Sequence, residues 1–288
     1  MTMRELPKGI IKLINEAVSI EQEQAREAGA IGYMSRSMVQ ASLPNRRVEG
    51  TEFVRVNGNF TLSLLAPSAI GLPYGTVPRL LMVWLASEAM RTKQRQLQLG
   101  QSLTGFMRQM DMKATGGVNG SITRFKEQSK RLFATSITGL YEGKHSSSLV
   151  NQRIADQAEF WWDTGSQRHG SEVLLSESFF REIMDHPVPV DLRAIHALKN
   201  SPMALDIYSW LTYRASYAKR SSAIPWAALA AQFGGDYSRL RDFKASFCTE
   251  LQKVCVVYPD VQVVVEQEVL IIEPAKPHVR QSPKGKSS

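Results

Sequence analysis

Cysteine, paired histidine and long apolar runs are what this sequence lacks. Only Cys248 and Cys255 occur among its 288 residues, seven positions apart and in no Cys-x-x-Cys pair. They predict two reduced thiols in or near a core, hence a reducing cytosol, with no disulfide framework. The five histidines, His145, His169, His186, His196 and His278, are all isolated. A nicking enzyme of the rolling-circle kind needs His-x-His for a metal plus a nucleophilic tyrosine. A tyrosine recombinase needs His-x-x-Arg with a tyrosine downstream. Neither pattern is present. Gly139-x-x-x-Gly143-Lys144 is one residue short of a phosphate-binding loop and has His145 where a magnesium-ligating Ser or Thr belongs. The sequence therefore predicts no catalytic residue, no metal site, no cofactor and no enzyme. No stretch approaches the roughly 18 uncharged apolar residues of a spanning helix. Residues 1–20 carry Arg4, Glu5, Lys8, Lys12 and Glu16, which does not read as a signal peptide. The expected location is the cytoplasm.

What is abundant is positive charge on a chain able to fold. Hydrophobic residues make up 43% and the net charge is +8, so the bulk is globular and its partner is polyanionic, a nucleic acid or an anionic membrane surface. The charge is localised. From Arg79 to Arg131 the basic residues Arg79, Arg91, Lys93, Arg95, Arg108, Lys113, Arg124, Lys126, Lys130 and Arg131 face only Glu88, Asp111 and Glu127. These side chains lie on helices whose apolar faces are needed for a core, which argues against a membrane partner.

One pattern runs through the chain twice, from about Thr76 to Asp163 and from about Pro202 to Glu273. Each pass reads as an apolar helix, a short strand, a short helix, a long basic helix and two β-rich stretches. Trp84-Leu85 with Phe125-Lys126 match Trp210-Leu211 with Phe243-Lys244. That is the order of a winged-helix DNA-binding domain. The expected fold is α+β and mainly helical, two tandem winged helices with an N-terminal helical extension. The expected division is 1–53 helix and linker, 54–165 first domain, 166–275 second domain and 276–288 disordered basic tail. The first wing is expected from Ser136–Tyr141 with Leu149–Trp162, the second from Val256 onward. Ile10–Ala28 reads as a helix that either mediates a homodimer or packs on the first domain. Asp236 is the expected cap of the last long helix.

In the first basic helix, Ile122, Phe125, Ser129, Leu132 and Phe133 fall on one face. Ser121 opens the helix, Thr123, Arg124, Glu127 and Arg131 face outward, and Lys126 and Lys130 flank them. In the second, Leu240, Phe243, Phe247, Leu251 and Val254 form the apolar stripe. Ser238 and Arg241 face out, with Arg239 and Lys244 on the flanks. Such faces are commonly mere solvated surface. Here Arg, Ser and Thr can hydrogen-bond bases and phosphates, Glu127 can accept from cytosine N4, and each helix follows a braced helix and a glycine-containing turn. Each would place its third helix in a major groove, reading segments about 10 bp apart on double-stranded DNA.

Gly71-Leu72-Pro73-Tyr74-Gly75-Thr76-Val77-Pro78-Arg79-Leu80-Leu81 runs on through Trp84-Leu85, Glu88-Ala89, Arg91-Thr92-Lys93 and Leu99-Gly100. Ser102-Leu103, Phe106-Met107, Gly116-Gly117, Arg124-Phe125 and Leu132-Phe133 continue the match. Together they resemble the plasmid-encoded RepA replication initiators over about residues 60–165, while the second half matches in architecture more than in motif. The resemblance implies a protein that binds repeated origin sequences, helps open the duplex, recruits the host replication initiator and helicase, and often represses its own gene. It carries over Arg124, Lys126, Lys130 and Arg131 as basic positions of the recognition helix. The residues alone leave open a repressor or partition adaptor with no part in opening DNA.

Overall fold

In the computed structural model, residues 8–144, 146–159, 171–235 and 237–279 are described. The chain opens with α1 (Lys8–Gln22), β1 (Ile31–Ser35), α2 (Arg36–Gln40), β2 (Glu52–Asn57) and β3 (Phe60–Leu65). The first pass of the repeat follows as α3 (Thr76–Thr92), β4 (Gln96–Gly100), α4 (Leu103–Gln109), α5 (Ser121–Ala134), β5 (Ser136–Glu142), β6 (Ser147–Arg153), β7 (Ala155–Glu159) and β8 (Ser171–Leu175). A connecting segment holds α6 (Glu177–Asp185), β9 (Pro187–Asp191) and α7 (Leu192–Leu198). The second pass is α8 (Pro202–Ala215), β10 (Ser222–Pro225), α9 (Trp226–Phe233), α10 (Leu240–Val257), β11 (Val263–Val265) and β12 (Val269–Ile272).

The two passes share more than element order. The sheets run β4-β8-β7 and β10-β12-β11, so in each the strand before the second helix pairs with the last strand of the closing hairpin. Each pass is also braced by an aromatic relay. Trp84 of α3 meets Phe106 of α4 edge to face at 4.7 Å between ring centres, and Phe106 meets Phe125 of α5 at 5.8 Å. Trp210 of α8 meets Phe233 of α9 at 5.3 Å, and Phe233 meets Phe247 of α10 at 5.5 Å. Phe247 therefore stands where Phe125 does, and Phe243 packs beside it against Tyr237.

The helices that open the passes are core on nearly every side. Met203 to Thr212 are buried without a break in α8, and Val77 to Val83 in α3. Ser201 caps α8 by accepting from the Ala204 amide at 3.2 Å, with Pro202 in the first turn, where a missing N–H does no harm. One buried ion pair joins α3 to α8. Arg79 donates through Nε and Nη2 to Asp206 at 2.7 and 2.6 Å, and to the carbonyls of Leu43, Pro44 and Gly75 at 2.6, 3.1 and 2.6 Å. Burial pushes the Asp206 carboxyl up from its ordinary value, while Arg79 pulls it the other way.

Several expectations need correction. The hairpin β5–β6 is not a wing. It pairs through β3 with β2 in a four-stranded sheet, β2-β3-β5-β6, and the strand set on β4 is β7–β8. The expected strand Leu149–Trp162 is broken between β6 and β7, and Phe160-Trp161-Trp162 lies outside the described residues. So does the expected boundary at 165/166, but β7 before it pairs with β8 after it, so Ser171–Leu175 belongs to the first copy's sheet. Residues 33–40, expected as linker, form the end of β1 and α2, and β1 pairs with β9 more than 150 residues later in the chain. The hairpin β2–β3 leans on the second copy: Arg55 is buried against Phe53 at 4.4 Å and donates to the Phe233 carbonyl of α9 at 3.4 Å. The first helix ends at Gln22, not Ala28, and α10 runs through Val256 and Val257 instead of stopping before them. Nor is the beginning of the tail loose. His278 stacks on Tyr258 at 4.6 Å and shares a 2.7 Å hydrogen bond with Tyr208, and Val279 is buried. Residues 280–288 lie outside the described set, as does Asp236.

Candidate nucleic-acid interface

The amphipathic pattern of α5 buries Phe125, Gln128, Ser129, Arg131 and Leu132. Arg131 is a correction. Its guanidinium bridges Glu127 at 2.7 Å, donates to the Leu72 carbonyl at 3.1 Å and lies 5.5 Å from the ring centre of Tyr74. Arg131 and Glu127 tie α5 to the turn before α3 and are not a free reading pair. Ser121 and Thr123 are engaged as well. The Ser121 hydroxyl donates to the Lys113 carbonyl at 2.6 Å and accepts from the Thr115 amide at 2.8 Å, and Thr123 donates to the Gly117 carbonyl at 2.9 Å. Arg124 and Lys130 are exposed and make no ion pair among the described residues, and Lys126 is half-buried.

The surplus of positive charge between 79 and 131 divides in two. Arg79 and Arg131 are buried, Arg91 bridges Glu88, and Arg95 bridges both Asp156 and Glu177 at 2.8 and 2.9 Å. Arg108, Lys113 and Arg124 stay outside and converge, with Lys199 from the end of α7, on a hollow of about 640 Å³. Asp111 is the one acid in its wall and is bonded to Lys199 through both carboxylate and carbonyl. Lys199 had no signal in the sequence, because it comes from a different element 75 positions beyond Arg124. Arg108 and Lys113 were visible only as members of a charge run.

In α10 the outward cations are largely spoken for. Arg239 bridges Asp242 at 2.9 Å, and Arg241, which is 82% exposed, reaches the same carboxylate at 3.6 Å. Lys244 is another correction. It donates to the Glu266 and Gln267 carbonyls at 2.7 and 2.8 Å and sits 4.8 Å from the centre of the Trp226 ring, so it fastens the β11–β12 turn to the helix. Ser238 is exposed. Leu240, expected in the buried stripe, is 47% exposed at the start of the helix.

Among the described residues no three His, Cys, Asp or Glu side chains cluster as a metal would require, and no helix is long and apolar enough to cross a membrane. Burial pushes the Cys248 and Cys255 thiols up, away from the reactive thiolate form.

The sequence model of the plasmid-encoded RepA protein family matches residues 72–226. No curated protein sequence matches the chain. Among solved structures, the selenomethionine derivative of domains 2 and 3 of RctB is similar at a TM-score of 0.52 and 11% identity, covering 85% of this chain and 97% of that one. At that identity the likeness concerns the fold. At 85% of the chain it covers more than the residues that the family model matches.

Proposed function

Since the chain belongs to the plasmid-encoded RepA family, a family of plasmid replication initiators, we propose that it initiates replication by binding repeated sites in double-stranded origin DNA. On this reading each pass is a winged helix, with β7–β8 and β11–β12 as the wings, and α5 enters the major groove. Arg124 contacts a base, Lys126 and Lys130 contact phosphates, and Arg108 and Lys113 hold the strand that runs past the hollow, whose wall the Lys199–Asp111 pair braces. Binding and bending energy would help open the duplex and present it to the host replication initiator and helicase in the cytoplasm. Repression of its own gene would follow where a site overlaps the promoter. Helix α1, which carries Ile14 and Val18 partly exposed, is the candidate surface for a homodimer.

The observation that carries the reading is the convergence of the exposed Arg108, Lys113 and Arg124 at the start of α5, in the segment that the family match covers. A nuclease footprint at a stated salt concentration, on DNA flanking the protein's own gene, tests it. Protections repeated about every two helical turns are the expected result. A single palindromic protection over the promoter would point to a repressor, and featureless, salt-sensitive coverage would remove the claim of sequence recognition.

A further inference from the structure

We propose that the loop between α4 and α5 is itself a reading element, with Val118 presented to a thymine methyl group in the major groove. This rests on the duplex-binding reading above and extends it to a part of the chain that carries no charge. Val118 is 88% exposed, more than any other large apolar residue among those described. It is not on a loose loop. Ser121 and Thr115 exchange hydrogen bonds, the Thr115 amide donating to Ser121 Oγ at 2.8 Å and the Ser121 amide to Thr115 Oγ1 at 3.0 Å. Ser121 also holds the Lys113 carbonyl, Thr123 holds the Gly117 carbonyl, and the Gly120 amide closes onto Gly117 at 3.0 Å. Gly120 is packed so tightly that a Cβ there would lie 2.4 Å from the carbonyl oxygens of Thr115 and Gly116.

Five hydrogen bonds and a glycine thus fix a loop whose most prominent side chain contributes nothing to the core. An isopropyl group in water gains free energy only when a partner covers it. The surroundings say which partner. Lys113 and Arg124, which flank the loop in the chain, both line the cationic hollow at its base, so a partner that covers Val118 and reaches the hollow carries negative charge. Duplex DNA offers one exposed apolar group next to its phosphates, the C5 methyl of thymine, which small aliphatic side chains recognise. Val is also smaller than the Phe, Leu, Ile and Met side chains that wedge between base pairs. The hydroxyls of Ser121 and Thr123 then read no base. They are positioning residues for the loop.

The test uses the full chain, the duplex recovered by footprinting, and copies of that duplex with deoxyuridine replacing thymidine at one position at a time. Loss of a methyl at the contacted position should weaken binding about three- to tenfold. Val118→Ser should weaken binding to the thymidine duplex by the same factor and abolish the difference between the two duplexes. If deoxyuridine is tolerated everywhere, or if Val118→Ser retains the difference, the inference is overturned. Should that happen while Arg124→Ala still weakens binding, the duplex-binding reading stands without it. If the unaltered chain binds no duplex, both are lost.

Discussion

The turns that lead into the two basic helices show how differently one element order can be used. The turn before α5 spans residues 110–120, faces solvent and is held by its own hydroxyls. Before α10 the two glycines are instead set against residues of the core. Gly234 lies against Phe243, and Gly235 so close to Arg55 that a Cβ would come within 2.0 Å of its guanidinium. The charges follow the same division. Around α5 the cations Arg108, Lys113, Arg124 and Lys130 look outward, whereas around α10 Arg239 and Arg241 lean on Asp242 and Lys244 holds two carbonyls. Two helices that look equally basic in sequence therefore offer unequal charge to a partner. Composition counts side chains, but only those without an internal partner are available for association.

Both copies sit on one core, and cutting the joint between them should have the largest effect. Asp206→Ala leaves Arg79 charged and buried, and should cost about 3–5 kcal/mol in a urea unfolding experiment. Arg79→Met with Asp206→Leu, which removes both charges, should recover part of that loss. A single variant that unfolds within about 1 kcal/mol of the parent would mean the pair is no joint. The next largest effect sharpens the contrast between the helices. Arg124→Ala should weaken site-specific binding by about 1–3 kcal/mol in a fluorescence titration, and Arg241→Ala by less. Lys130→Met should lower the slope of log affinity against log salt by about one, whereas Lys244→Met should leave the slope alone and lower stability by about 1 kcal/mol. Equal affinity losses for the two arginines would erase the distinction.

The smallest effect concerns pH. Burial lowers the pKa of His278, which sits among Tyr208, Tyr258, Asp191, Arg193 and Asp260, and burial likewise lowers that of His196. The unfolded chain, with histidine near 6.5, then binds protons that the folded chain refuses. Stability is complete above about pH 6.5 and falls as the pH drops through that value toward the lowered ones. Thermal melts at about pH 7.5 and 5.5 should show this decline, and His278→Gln should flatten it. An unchanged pH dependence in the variant would place the effect elsewhere.

Much of the first level of structure was legible in the sequence. Ser102, Asp191 and Ser201 cap their helices as their types suggest, and α3, α4, α5, α8 and α9 lie where periodicity put them, because that signal is local. Strand partners are not local. Nothing in Ser136–Arg153 reveals that the hairpin pairs with β3, more than 70 residues earlier, instead of with β4. Pro187 and Pro189 concealed β9 for a related reason. Their positions in a two-stranded ribbon lie opposite Ser35 and Tyr33, and the Tyr33 amide turns away to Ser87 at 2.9 Å. No ladder bond is wanted there, and proline is tolerated. Of the candidate interface, the exposure of Arg124 and Lys130 followed from the helical face. Arg79 and Arg131 did not, since a charged residue carries no mark of the partner that will bury it.

The joint between α3 and α8 bears on more than stability. One guanidinium ties together the segment 43–45, the start of α3 and the middle of α8. Two separately tethered modules would have to search for their second contact after making the first, at a local concentration set by the linker. In this chain the two modules are already set side by side, so the disorder given up in bringing them together is spent once, during folding, and not again at each encounter.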